Sequence, residues 1–287
     1  MFEPVPESPV ARALRPTLRY MMQTEVHVYA FAVAASVLLS FAPFLIVILS
    51  LCRNVLKWRA AVDAIHLALS DYFPGPLADF VQRNVDIAVE RGALQLTSIV
   101  LLLVVANGVF EPLEVALNRA WGISKNRSYW RNQLISLGLI LTCGVLALLS
   151  AMFTALNYSI SPRLLGARSP LVETLGLIFF KMAAIPLSML MLFLIYWLLP
   201  NRKIPPARVV PVAIVVGLGL EALKYFNLLT WPLLEAKLSR EYGPFVYSVS
   251  IILWSFLAAM VVLAGAEWSA RPEAGEQLHV DAEIDRL

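Results

Sequence analysis

Five stretches of this chain, residues 28–51, 93–110, 132–162, 182–201 and 242–266, contain no Asp, Glu, Lys or Arg. A sixth, 209–234, is interrupted only by Glu221 and Lys224. A helix needs roughly 20 mostly apolar residues to cross the hydrocarbon core. Lipid offers no partner for free backbone N–H or C=O groups, so each stretch is predicted to be helical. The pattern therefore predicts an all-α, polytopic membrane protein with six transmembrane helices.

The one long connection, 52–92, has a different period. Leu77, Phe80, Val81, Val85 and Ala88 recur at helical spacing, with Asp79, Gln82, Arg83 and Asp86 between them. Pro74-Gly75-Pro76 divides the connection, which predicts an amphipathic helical hairpin between spans 1 and 2. It would either cap the bundle or act as a gate or partner-binding lid. Three regions follow. Residues 1–27 form a cytoplasmic amphipathic N-terminal segment, with Val10, Leu14, Leu18 and Met21 beside three arginines. Residues 28–269 form the six-helix domain, including the outer connection 52–92. Residues 270–287 form a cytoplasmic tail. The first apolar stretch is longer than a signal h-region and is predicted to remain as an anchor.

Composition agrees with lipid as the solvent. The chain is 59% hydrophobic and 15% charged, against about 25% charged for soluble domains. Basic residues cluster beside the apolar stretches. Arg12, Arg15 and Arg19 precede span 1, Arg119, Lys125, Arg127 and Arg131 lie between spans 2 and 3, and Arg202, Lys203 and Arg208 between spans 4 and 5. Their density predicts that both termini are cytoplasmic, although Arg53, Lys57, Arg59, Arg83 and Arg91 of the 1–2 connection weaken the bias. Tyr129, Trp130, Tyr196, Trp197, Trp231, Tyr242 and Trp268 fall near span ends and are expected to form interfacial belts. Ala32, Ser36 and Ser40 offer a small-residue contact face on span 1, and Pro43, Pro112 and Pro186 are candidate kinks.

Ionisable groups inside a span are costly, so they are the candidate site. In ANGVFEPLEVALNRAW, Asn107, Glu111, Glu114 and Asn118 fall on one narrow helical stripe. The stripe reads as a solvated cytoplasmic helix end or as a polar path. On span 5, Glu221 and Lys224 are neighbours on one face, and Asn227 continues the row. They form either a self-neutralising pair that fixes packing or a gate whose charge state changes.

Catalytic chemistry has little to draw on. The three histidines, His27, His66 and His279, are scattered, and no HxxxH, HxE, paired CxxC or P-loop pattern occurs. Cys52 and Cys143 give no disulfide framework, and read as buried apolar thiols. The expectation is a non-enzymatic protein with no cofactor and no resident metal. Its expected partners are membrane lipids and a lipid or small-molecule substrate, not nucleic acid.

Four segments carry a resemblance. They are YAFAVAASVLLSFAPFLIVIL in span 1, FEPLEVALNRAWGI at the end of span 2, LIYWLLPNRKIPPARVVPVAIVVGLGLEALKYF across spans 4 and 5, and EYGPFVYSVSIILWSFLAAMVVLAGAEW in span 6. In this order they resemble the YihY/BrkB family of bacterial inner-membrane proteins, once labelled ribonuclease BN. Pro244 and Pro112 depart from the family pattern. The resemblance implies six spans, a bacterial cytoplasmic-membrane location and a link to envelope maintenance, with transport of lipid or another substrate suggested for members. It implies no agreed reaction. A non-catalytic scaffold or assembly partner is the competing expectation, and the lack of a visible internal duplication leaves it open.

Overall fold

The computed structural model describes residues 9–72, 79, 82–83, 86–87, 89, 109–123, 127–164 and 185–271. Among them every regular element is helical. Helix α1 is Pro9–Met21 and α2 is Thr24–Ser50, which continues into a π-helical turn, Leu51–Val55. Helix α3 is Arg59–Tyr72, α4 covers 109–120, α5 is Tyr129–Leu164 and α6 is Ile185–Leu198. Helix α7 is Pro206–Tyr242, joined through the 3-10 turn Gly243–Phe245 to α8, Val246–Ala270.

Three continuous helical stretches among the described residues are long and apolar enough to cross a membrane: Thr24–Asn54, Trp130–Leu149 and Pro206–Ala270. The last is folded on itself, because α7 and α8 pack against each other on either side of Gly243. Gly243 has φ +51°, a conformation that costs other residues their Cβ clearance. It makes the reversal that the spans 5 and 6 reading requires. Most of the span 2 stretch, 93–108, and the start of span 4, with Lys181, lie outside the described residues, as do Pro74-Gly75-Pro76 and the tail from 272.

Two apolar clusters hold the bundle. The larger joins Val26, Ala30 and Val33 of α2, Leu113 and Leu117 of α4, Leu192 and Tyr196 of α6, Val209, Val212, Ala213 and Val216 of α7, and Leu263 and Ala266 of α8. The smaller joins Leu45, Leu49 and Cys52 at the far end of α2 with Ala61, Ile65 and Leu69 of α3, Val89, and Trp231 of α7. The first half of the 1–2 connection is thus packed onto the bundle, where α3 also meets α5. Gln82 Nε2 donates to the His66 carbonyl at 3.0 Å and His66 Nε2 stands 3.5 Å from Asp86, so the described residues of the second half lie against α3. The opposite faces of the long helices stay apolar and exposed, as Leu39, Leu134, Leu229 and Leu233 show. Such faces suit lipid.

Two expectations are corrected. Tyr196 and Trp231 do not join an interfacial belt, since both are buried, at 1% and 4% exposure. Tyr196 faces α8, while Trp231 completes the cluster under the cap. Trp130, Trp197, Tyr242 and Trp268 are exposed, as a belt requires. On α2 the fully buried small residues are Ala30 and Ala34, whereas Ala32, Ser36 and Ser40 are only half-buried. Contacts between α2 and α8 include His27 and Phe31, both against Phe256. Cys52 is buried and Cys143 half-buried.

Candidate functional site

The span 5 row lies between the two clusters. The Lys224 ammonium is 2.6 Å from the Glu221 carboxylate, with side chains 17% and 19% exposed. Asn227 is buried, one turn further along α7. Starting from Pro206, Glu221 is roughly 22 Å along the helix at 1.5 Å per residue. The same part of α7 tolerates close neighbours. A Cβ on Gly217 would stand 3.0 Å from Met189 Cγ of α6. Two indole N–H groups, of Trp231 on α7 and Trp254 on α8, are buried without an acceptor among the described residues. Buried indole N–H groups ordinarily find one.

The span 2 row behaves differently. Asn107 lies outside the described residues. Glu111 is exposed, whereas Glu114 and Asn118 are buried at 4% and 2% exposure. Asn118 Oδ1 accepts from the Asn201 backbone N–H at 2.7 Å, which pins the turn between α6 and α7. Arg127 closes the same corner. It donates to the carbonyl oxygens of Pro200 at 2.7 Å and Leu198 at 3.1 Å, and to Asn201 Oδ1 at 3.2 Å. Burial pushes the Glu114 carboxyl above its ordinary value, opposed by the Arg127 guanidinium and by the Asn118 and Asn132 side chains. Burial likewise lowers Arg127, and Glu114 opposes that shift. This corner is a fastening of helix ends, with few groups left over for a substrate.

Asn118 holds the turn that leads into α7, with Glu114 beside it, whereas Glu221, Lys224 and Asn227 lie in the middle of that helix. Sequence reasoning missed Arg127 and Asn201 as partners. Arg127 counted only as a topogenic charge, and Asn201 only as a letter in a loop motif. It also missed a node at the opposite termini of the chain, where Thr17 donates to Glu267 Oε2 at 2.8 Å and Arg271 pairs with Glu267 at 2.7 Å and donates to the Thr17 hydroxyl. Nothing in a single sequence joins positions so far apart. No group of three or more His, Cys, Asp or Glu able to hold a metal occurs among the described residues.

Comparison with known proteins gives the chain its relatives. The family model described as "Virulence factor BrkB" matches residues 17–283. A UPF0761 membrane protein of Acinetobacter baylyi is 25% identical over 84% of this chain and 57% of its own length. A second, of Chromohalobacter salexigens, is 26% identical over 84% of this chain and 58% of its own. A third, of Actinobacillus pleuropneumoniae, is 23% identical over 80% of this chain and 82% of its own. The chain thus spans under three fifths of the length of the first two. No solved structure matches it significantly. With a match running from α1 to beyond α8, the chain belongs to the BrkB (YihY) family of membrane proteins.

Proposed function

We propose that this protein handles a lipid or another envelope-related substrate within the bacterial cytoplasmic membrane, by a non-enzymatic transport step. The observation that carries the reading is the Glu221–Lys224 pair at 2.6 Å, mostly buried midway along a membrane-length helix. Charges at such depth are costly and commonly mark substrate or ion pathways. The proposal includes six crossings, with 93–110 and 182–201 adding to those of α2, α5, α7 and α8. It includes N- and C-termini in the cytoplasm, the 52–92 hairpin on the outer face, and α1 lying on the inner leaflet. No cofactor, metal or nucleic acid enters the scheme.

Reconstitution in liposomes tests it. Wild-type protein is expected to move lipid or solute, and Glu221→Gln and Lys224→Met are expected to lose that flux while remaining folded. Flux at the wild-type level in both variants removes the pair from the mechanism. A second reading, a scaffold for an envelope complex, draws on the closeness of the pair, which neutralises itself and needs no ligand. Stable co-purification of one complex, with no flux in liposomes, favours the scaffold.

A further inference from the structure

The end of the bundle where α1 and the C-terminus of α8 meet holds a cavity of about 230 Å³. Tyr20 of α1, Gln23, Glu25 and Tyr29 at the start of α2, Arg119 at the end of α4 and Glu267 at the end of α8 line it. The volume is below the roughly 300–1,000 Å³ of sites for drug-sized ligands. A headgroup is the right scale.

We infer that this cavity binds the headgroup of an amine-bearing phospholipid, of the phosphoethanolamine class, with its ammonium toward Glu25 and Glu267 and its phosphodiester toward Arg119 and the start of α2. The inference rests on the membrane location read above and not on transport.

Charge and geometry both support it. Glu25 is paired with Arg119 and Glu267 with Arg271, so the corner is close to neutral and offers both signs of charge, as a zwitterionic headgroup does. The Tyr20 hydroxyl on its wall is pushed up to about 12, by burial first and then by Glu267 and Tyr29, with Arg119 opposing and Glu25 adding least. A primary ammonium brings three N–H donors to such acceptors. The Arg119–Glu25 pair spans 2.9 Å but is 62% and 55% exposed, so it is weak and exchangeable. Gln23, which N-caps α2, gives its first turn no side-chain hydrogen bond. The Val26 and His27 N–H groups turn back to the Gln23 carbonyl, so an anion there meets the first two N–H groups of the helix.

The acyl chains also have a place. Val28, Ala35 and Leu39 are exposed along α2, and Phe31 between them keeps one ring face open while the other stacks on Phe256 of α8. Their offsets of 3, 7 and 11 put them on one face, and Val28 follows Glu25 by three residues, its neighbour on the helix surface. A lipid seated by its headgroup at Glu25 can lay a chain down that stripe.

The test is native mass spectrometry of the full chain in detergent, given equal amounts of phosphatidylethanolamine, phosphatidylglycerol and phosphatidylcholine with the same acyl chains. Wild type is expected to retain the ethanolamine lipid about tenfold over the glycerol lipid, the discrimination of one charge-assisted hydrogen bond. The choline lipid, without N–H donors, is expected to follow the glycerol lipid. Glu25→Gln is expected to weaken the preference and Glu25→Gln with Glu267→Gln to abolish it, while Glu221→Gln leaves it unchanged. Equal retention of all three lipids by wild type overturns the assignment, as does a preference that survives in the double variant. If choline and ethanolamine lipids bind alike, the site does not read a primary amine and the assignment also fails. Because Glu267 holds α1, Glu25→Gln serves as the variant that leaves that node intact. Loss of flux in Lys224→Met with the lipid preference unchanged separates this site from the transport reading.

Discussion

Gly265 of α8 lies so close to Val216 of α7 that a Cβ added to it would stand 2.4 Å from Val216 Cγ2. The same atom would stand 2.6 Å from the Tyr196 hydroxyl oxygen. That hydroxyl donates to the Val262 carbonyl at 2.6 Å, so α6, α7 and α8 converge on one residue without a side chain. Gly265→Ala is expected to destabilise the fold by about 1–3 kcal/mol through overpacking. Thermal unfolding in detergent checks it, and an unchanged midpoint would show that the helices separate at no cost.

Asn118→Ala removes the acceptor of the Asn201 N–H and is expected to cost about 0.5–1.5 kcal/mol, the net worth of one hydrogen bond. Arg127→Lys is not a conservative change there. The guanidinium serves the Leu198 and Pro200 carbonyls and Asn201 Oδ1 with a rigid fork, which a single ammonium cannot reproduce. The lysine variant is expected to retain only part of the stability that Arg127→Ala loses, and protease susceptibility of the 199–205 turn reads the difference.

Glu114 predicts a pH dependence with a definite sign. Its folded-state value is raised by burial, so folding favours the protonated form. The stability it supplies is complete below its ordinary value of 4.5 and declines as pH rises from there through the raised value. Glu114→Gln is expected to flatten that decline. Unfolding midpoints measured across the mildly acidic range decide it, and parallel curves for the two proteins would exclude Glu114 as the source.

The Glu221–Lys224 pair predicts non-additivity. Either single neutral substitution leaves one charge without its partner in a mostly buried place, at a cost of up to about 3 kcal/mol. Glu221→Gln combined with Lys224→Met removes both charges and is expected to recover much of that loss. Expression and monodispersity of the three variants measure the coupling. Strictly additive losses would mean that the two side chains do not sense each other.

Charge-free runs made the long helices legible, because a run that cannot be solvated must satisfy its own backbone. The reversal at Gly243 was legible only as a gap between spans, since its φ is a property of the turn and not of the residue type alone. Glu221 and Lys224 were legible as a pair because three residues fix their separation on a helix. Asn118 was legible as a member of a polar stripe, but neither its burial nor its partner was, since the turn at 199–201 joins it only through tertiary packing. The aromatic belt was overread at Tyr196 and Trp231. Position near a span end says nothing of which way a ring points, and both rings point inward.

Helix α7 has 37 residues, roughly 55 Å at 1.5 Å per residue, far more than the roughly 30 Å hydrocarbon thickness. Its first turn follows the corner fastened by Arg127 and Asn118, while Trp231, seven turns on, is seated under the cap. A rod clamped at one end behaves as a lever. Any tilt of α7 about the clamp moves Trp231 and the α3 residues packed on it farthest and carries Glu221 and Lys224 along, so a push on α3 and a change at the ion pair are mechanically one event.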